Sequence, residues 1–288
     1  MNEEKVSRRT FLKRSLYTIM STIFAGSFGY YYARHIETKW LTINNLELRS
    51  PKIPSAFDGF TIVQFSDIHL GHNYTLTQFQ GLVEEINSLK PDLILFTGDL
   101  IDSPQDYKPL RKISSILGQL SAPLGKFSIY GNHDHGGYGT ETYRKIMEHA
   151  DFKLLMNETS TIEKSGERLI LAGIDDAMLG RPDLHQTLSS LSVEDYVIVM
   201  AHEPDIADNV ARYAVDVQLS GHSHGGQVQL PFIGPLVTPP LAKKYYDGMY
   251  SVGESAMQLY VNRGIGTTRE PYRFLCVPEL TVFTLKNE

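Results

Sequence analysis

The sequence predicts an α/β fold. Three observations carry that reading: short apolar runs rich in β-branched residues recur along the chain, helical periodicities separate them, and each run closes on a cluster of polar residues. With 288 residues, 42% hydrophobic content and no repeat or low-complexity tract, the chain can bury one large core.

The N-terminus reads as an address. In "SRRTFLKRS" the paired Arg8 and Arg9 precede a Phe and further bases, and a 19-residue stretch without charge follows, Ser15 to Ala33. This pattern resembles a twin-arginine export signal. A plain membrane anchor is the alternative, since about 20 apolar residues span a bilayer as a helix, but Ser, Thr and Gly dilute this stretch. Residues 1–37 are thus assigned to a twin-arginine signal or possible anchor. The expected partner is the twin-arginine export machinery, and the expected location is extracytoplasmic, associated with the membrane or the cell wall. Ala25-Gly26-Ser27 offers a small-residue cleavage site, while Tyr30 to Tyr32 look like interface aromatics, so cleaved and retained forms both stand.

One domain, residues 40–288, follows. "FTIVQFSDIH", Phe60 to His69, is a strand that ends in Asp67 and His69. Phe79, Leu82, Val83, Ile86 and Leu89 then mark one face of a helix, and "DLILFTGDLID" is a strand bringing Asp99 and Asp102. Leu110, Ile113, Leu117 and Leu120 mark a second helix, which leads to "KFSIYGNHDH" with Asn132, His133, Asp134 and His135. Later, "YVIVMAHEPD" supplies His202, and "VDVQLSGHSHGGQ" supplies His222 and His224. In α/β folds the carboxyl ends of neighbouring strands converge on one edge of the sheet, so these distant motifs can line one crevice.

Each motif alone is weak, since an Asp-x-His is more often a turn or a helix cap. Five of them, each closing a strand, point to a metal site. Cys276 is the one cysteine, so the ligands must be His, Asp, Glu or Asn. If the backbone stays extended, Asp67 with His69 and His222 with His224 each project to one side, and two facing pairs suit two ions. Asp99 can lend one oxygen to each ion. Asn132, a neutral oxygen donor, would complete the second shell with His202.

The motif set, in the order DxH, GDxxD, GNHD, HEPD and GHSH, resembles the calcineurin-like metallophosphoesterases over nearly the whole body, Phe60 to Leu285. The resemblance implies a four-layer αββα sandwich of two mixed sheets with a binuclear site between their loops. It places Asp67, His69, Asp99 and His224 on one ion, and Asp99, Asn132, His202 and His222 on the other. The ions are two divalent metals, with Mn, Zn and Fe all open. Within the family the chain is similar to the exported, twin-arginine branch, some members of which are linked to UDP-2,3-diacylglucosamine hydrolysis in lipid A synthesis and others to the cell wall.

The expected reaction is phosphoester or pyrophosphate hydrolysis on an envelope lipid, a sugar-nucleotide lipid or a cell-wall substrate. Two ions about 3.5–4 Å apart lower the pKa of a bridging water and stabilise in-line displacement by the resulting hydroxide. His133 follows Asn132 without being needed as a ligand and is the candidate proton donor to the leaving oxygen. Family precedent makes Asp102 its orienting acid, and Asp134 is the alternative. His135 could meet substrate or cap the next helix, and Arg263 could meet phosphate or form a structural ion pair. "QLPFIGPLVTPPLAKKYYDGMY", Gln229 to Tyr250, could wall the site or pack as a plain loop.

Charge narrows the alternatives. Residues 1–37 hold six Lys or Arg and three acids, so the remaining 21 basic and 30 acidic residues leave about nine net negative charges. Such a body gives no electrostatic case for nucleic acid as a partner. An exported nucleotide phosphatase or nuclease is the competing enzyme reading, and a non-catalytic wall-binding protein is the competing non-enzyme reading.

Overall fold

A computed structural model describes residues 7–136, 139–254 and 256–288. Two six-stranded sheets stack face to face. The first has the order β1 (Thr42–Arg49), β14 (Glu279–Lys286), β2 (Thr61–Phe65), β3 (Leu93–Phe96), β4 (Lys126–Ser128) and β5 (Lys153–Leu154). The second runs β12 (Gly248–Ser251), β13 (Gln258–Val261), β9 (Val217–Ser220), β8 (Val197–Met200), β7 (Glu167–Gly173) and β6 (Glu158–Lys164). Both sheets are mixed: β2 to β5 run parallel and so do β7, β8, β9 and β13, while β14 is antiparallel to β2, β6 to β7 and β12 to β13.

The central strands are apolar throughout because both of their faces are covered. On the outer face of the first sheet, Val63, Phe65, Ile94 and Phe96 meet three helices, α2 (Leu76–Ser88), α3 (Leu110–Leu117) and α5 (Thr140–His149). Helix α2 buries Phe79, Leu82, Val83 and Ile86, the face its periodicity predicts, and starts at a capping box between Thr75 and Gln78. Between the sheets lie Ile62, Leu93, Leu95, Phe127, Leu171, Ile198, Met200, Leu219 and Phe283. Outside the second sheet, Val197, Val199 and Leu259 are covered by two short helices, α6 (Leu184–Leu188) and α7 (Ala207–Val210), with Val215 and Tyr245. These are the four layers, αββα, that the sequence predicts.

The N-terminal helix α1 (Arg8–Tyr31) begins at a Ser7 cap and buries none of its residues. Among the described residues no helix is long and apolar enough to cross a membrane. The segment after α1 packs on the body ahead of the expected domain start at residue 40. Glu37 is buried and accepts the Cys276 backbone N–H at 2.5 Å, while the Ala33 carbonyl accepts from Arg273 N at 2.9 Å. A one-turn helix, α4 (Asn132–His135), and a hairpin of β10 (Gln229–Leu230) and β11 (Gly234–Pro235) complete the elements beside the crevice.

Candidate metal centre

The turns after β2, β3, β4, β8 and β9 meet at one edge of the sandwich and bring six of the expected ligand residues into clusters, with Asn132 lining the same cleft as His69, Asp99, His222 and His224. Their backbones are knitted to one another. Asp67 N donates to the Gly98 carbonyl and Ile68 N to the Asp99 carbonyl, both at 2.9 Å, and Gly221 N donates to the His202 carbonyl at 3.0 Å. From the first sheet, Gln64 Nε2 donates to the Ser220 carbonyl of the second at 3.1 Å. Two glycines make the approach possible. Gly98 has φ +99°, and a Cβ there would lie 2.6 Å from Gly131 N; at Gly221 a Cβ would lie 2.3 Å from Asp67 Oδ2.

The expected extended pairs are not extended. Asp67, His69, Asp99, His222 and His224 all have φ between 48° and 68°, the left-handed region that costs energy for residues with a Cβ. Each turn leaves its strand at once, and the side chains converge through this local twist rather than through the alternation of a strand.

Asp67, His69 and His224 form one cluster and Asp99, His202 and His222 another, the offered atoms within each lying inside 4.8 Å of one another. His69 Nε2 lies 3.0 Å from His224 Nε2, and His224 Nε2 lies 3.4 Å from Asp67 Oδ1. Asp99 Oδ2 sits between the clusters, 3.5 Å from His69 Nε2 and 3.3 Å from His202 Nε2. Its other oxygen, Oδ1, accepts the His133 backbone N–H at 2.8 Å. The expectation that Asp99 gives one oxygen to each ion is therefore corrected: a single oxygen faces both clusters, because the second is taken by backbone.

The fit to cations follows from what the remaining ring atoms do. His69 Nδ1 meets Asp102 Oδ1 at 3.1 Å, His202 Nδ1 meets the Thr97 carbonyl at 2.7 Å, and His222 Nε2 meets the Pro240 carbonyl at 2.8 Å. These partners only accept, so each takes the ring proton and leaves the opposite nitrogen turned into the crevice. Asn132 Oδ1 and His202 Nε2 are buried without a hydrogen-bond partner. Leaving them so costs roughly 1–3 kcal/mol each, which a cation removes. Imidazole, carboxylate and amide oxygen without thiolate suit Mn, Zn or Fe.

The electrostatics agree. Burial and the neighbouring Asp99 push the Asp67 carboxyl up despite His202, whereas His202, His133 and His69 overcome burial and hold Asp99 well below the usual carboxylate range. Burial opposes charge on His202, yet Asp99 and Asp67 raise it well above its ordinary value, so the acids demand a positive charge at this point. Burial and the charge on His202 push His222 down to about 4.

His133 stands at the rim. Its Nδ1 donates to the backbone carbonyl of Asp102 at 2.7 Å, whereas the Asp102 carboxylate is 3.8 Å from that nitrogen and 3.1 Å from His69 Nδ1. The shorter contact defines the orientation. Asp102 thus holds His133 by its carbonyl and His69 by its carboxylate, which corrects the expectation of an orienting acid for His133. Asp134 braces the turn instead, accepting Asp99 N, Gly131 N and Leu100 N at 2.8–3.0 Å, and burial with Asp99 nearby pushes it up to about 7.

Two weaker expectations change as well. His135 does not line the crevice: Nε2 meets Asp175 Oδ1 at 2.7 Å, Nδ1 meets Thr140 Oγ1 at 3.1 Å, and the ring stacks on Tyr130. Arg263 is likewise committed, with Nε 2.8 Å from Glu279 Oε2, so of its two readings the structural ion pair holds. The crevice opens into a cleft of about 310 Å³ lined also by Val228, Leu236, Val237, Pro239 and Pro240 and by Arg269 and Tyr272. Sequence reasoning missed Arg269. It lies in a loop with no strand-end signal, and only a basic residue after the "VNRGIG" turn hinted at it.

A calcineurin-like phosphoesterase model matches residues 60–226, which is more than half of the chain. The chain belongs to the calcineurin-like phosphoesterase family. As a family member it is a metal-dependent phosphoric ester hydrolase with a centre of two divalent ions. It is 47% identical over 285 residues to the metallophosphoesterase YkuE of Bacillus subtilis (strain 168), covering 99% of each chain. It is 29% identical to the phosphodiesterase YaeI of Escherichia coli (strain K12), over 97% of this chain and 99% of that one. It is also 28% identical to the UDP-2,3-diacylglucosamine pyrophosphatase LpxG of Chlamydia trachomatis, over 86% of this chain and 90% of that one. In this phosphoesterase the matched region contains every residue of the two clusters.

Proposed function

We propose that this phosphoesterase acts outside the cytoplasm, after twin-arginine export, on an amphiphilic phosphoester or pyrophosphate of the cell envelope. The observation that carries this reading is the asymmetry of the cleft: ligand residues of both clusters line it, and so does a mostly apolar set made of Val228, Leu236, Val237, Pro239 and Pro240. A phosphoryl group on the clusters would place a lipid portion against that set. The pyrophosphatase activity named for the LpxG relative acts on a substrate of this kind, which supports the choice. A nucleotide phosphatase or nuclease is less well served, since among the described residues Arg269 is the one basic side chain lining the cleft apart from histidines.

In this reading Asp67, His69, Asp99 and His224 would hold one ion, and Asp99, Asn132, His202 and His222 the other. When bound, the two ions supply an activated water and neutralise charge on the phosphoryl oxygens. His133 donates Nδ1–H to the Asp102 carbonyl, so it would act as the imidazolium, giving its Nε2 proton to the departing oxygen and becoming neutral; burial opposes that charge, but Asp99 and Asp102 raise the ring above its ordinary value. The Asp102 carboxylate keeps His69 turned toward the cluster. Arg269, which lines the same cleft, would offer the substrate anion a further positive contact.

Metal analysis of the purified protein, followed by a rate screen over lipid phosphates, sugar nucleotides and mononucleotides, tests the reading. Two ions per chain with preference for acylated substrates supports it. Preference for mononucleotides or polynucleotides would replace it with the competing enzyme reading.

A further inference from the structure

Beside the cleft the chain exposes apolar residues that the fold itself does not use. At the tip of the β10–β11 hairpin Phe232 is wholly exposed with φ 67°, and Ile233 is 72% exposed. A bulky residue held in the left-handed region without burial costs conformational energy and gains nothing inside the molecule. Leu236 and Val237 continue from the tip into the cleft wall while remaining more than half exposed.

The hairpin adjoins the root of α1. Gln229 N donates to the Phe274 carbonyl at 2.9 Å and Phe274 N to the Gln227 carbonyl at 2.8 Å, and the neighbouring Leu275 is also exposed. On the other side of this loop Arg273 N holds the Ala33 carbonyl, and the Tyr32 ring meets Phe274 edge-on at 6.4 Å. Two exposed apolar elements, α1 and the hairpin tip, are thus fixed to one loop at the cleft mouth. Their charge is also distinctive: Arg8, Arg9, Lys13 and Arg14 lie on α1, which has no acid, while residues 38–288 are net negative.

We propose that Phe232 and Ile233, with Leu236, Val237 and Leu275, insert into the interfacial region of an anionic bilayer that the cationic start of α1 also contacts. The cationic start of α1 complements anionic headgroups, and its 24 residues have the length but not the apolarity needed to cross the membrane. The negative body is repelled by the same surface, so the protein settles in one orientation, with the cleft mouth facing the membrane plane. The enzyme then draws its amphiphile from the leaflet without first extracting it into water. The proposal deepens the phosphoesterase reading and rests on it only in taking the cleft as the active site.

The test uses the full-length, metal-loaded protein sedimented with vesicles of phosphatidylcholine alone or mixed with phosphatidylglycerol. The native protein is expected to bind the mixed vesicles more strongly than the neutral ones. The double variant Phe232→Ser with Ile233→Ser should lose at least about tenfold in partitioning onto mixed vesicles, while Val193→Ser, an apolar residue 70% exposed in the turn before β8, changes nothing. Hydrolysis of soluble bis(p-nitrophenyl) phosphate should be the same in all three proteins. Native protein that fails to bind mixed vesicles, equal binding to both vesicle types, or undiminished binding by the tip variant overturns the proposal. Vesicle binding without soluble turnover would instead strike the phosphoesterase reading and leave the docking surface standing.

Discussion

The backbone N–H of His133 donates to Asp99 Oδ1 at 2.8 Å, so that Asp99 Oδ2 alone faces both His69 and His202. One carboxylate oxygen is thereby the hinge of both clusters, and the proton donor proposed for the leaving group is held by the same side chain.

Asp99→Asn replaces a charged oxygen pair by one neutral oxygen and a donor, so we expect loss of at least one bound metal together with activity. Asp151→Asn, on an exposed turn after α5 with φ 60°, should lose neither. Metal content per chain, measured on both proteins, decides it; full occupancy in Asp99→Asn would reject the shared-oxygen assignment.

His133 borders two grooves, the cleft described above and a second one lined by Ser103, Gln105 and Asp106. General acid catalysis is worth roughly 100- to 10,000-fold, so His133→Asn should lose about that much with alkyl phosphoesters and markedly less with p-nitrophenyl esters. His202→Asn and His222→Asn should slow both classes alike. A leaving-group series run with metal analysis separates the roles, and equal losses for every ester with His133→Asn would remove the proton donor.

The divided duty of Asp102 gives a third expectation. Asp102→Asn keeps the backbone carbonyl that orients His133 but weakens the acceptor on His69, so metal affinity should fall about 10- to 100-fold. The leaving-group dependence should stay that of the native enzyme once metal is saturating. Titrating activity against metal at two leaving groups reads both effects; a leaving-group dependence like that of His133→Asn would mean that the carboxylate serves His133 after all.

The His135–Asp175 pair makes stability depend on pH. Burial opposes charge on both groups, but each partner outweighs it, raising His135 and lowering Asp175 from their ordinary values. A raised histidine contributes stability that is complete below its unfolded pKa and lost as pH rises through the folded one. A lowered aspartate contributes above its unfolded pKa and is lost as pH falls through the folded one. The pair therefore contributes most between about pH 4 and pH 6.5. His135→Gln should cost roughly 2 kcal/mol near the acidic side of neutrality and much less at alkaline pH. Denaturant melts of both proteins across pH would show a constant difference if the pair were unimportant.

For export, the double variant Arg8→Lys with Arg9→Lys should retain the protein in the cytoplasm. Normal amounts outside the cell, measured by fractionation, would discard the twin-arginine proposal.

Much of this architecture was legible because strand order does the assembling. Five apolar runs end in polar motifs, parallel pairing aligns their carboxyl ends, and Asp67 meets His222 N at 3.0 Å across 155 positions as a result. What was not legible depends on local twist and on distant loops. An Asp-x-His spacing is as compatible with a strand as with two left-handed residues, so the positive φ at His69 and His224 left no trace in the pattern. The Asp102 carbonyl cannot be distinguished from its carboxylate in a sequence. The burial of Glu37 rests on Cys276, 239 positions away.

Strand β14 lies between β1 and β2, so the strand nearest the C-terminus is an interior plank of the first sheet. A chain still being synthesised can pair β2 with β3 and β4, but β1 has no neighbour until Lys286 has left the ribosome. At about 5–20 residues per second, β1 waits on the order of tens of seconds for its partner. The binding of β1 then reports that β14 has been made. A nascent chain cut short before β14 leaves both β1 and the edge of β2 unpaired, an open, sticky edge.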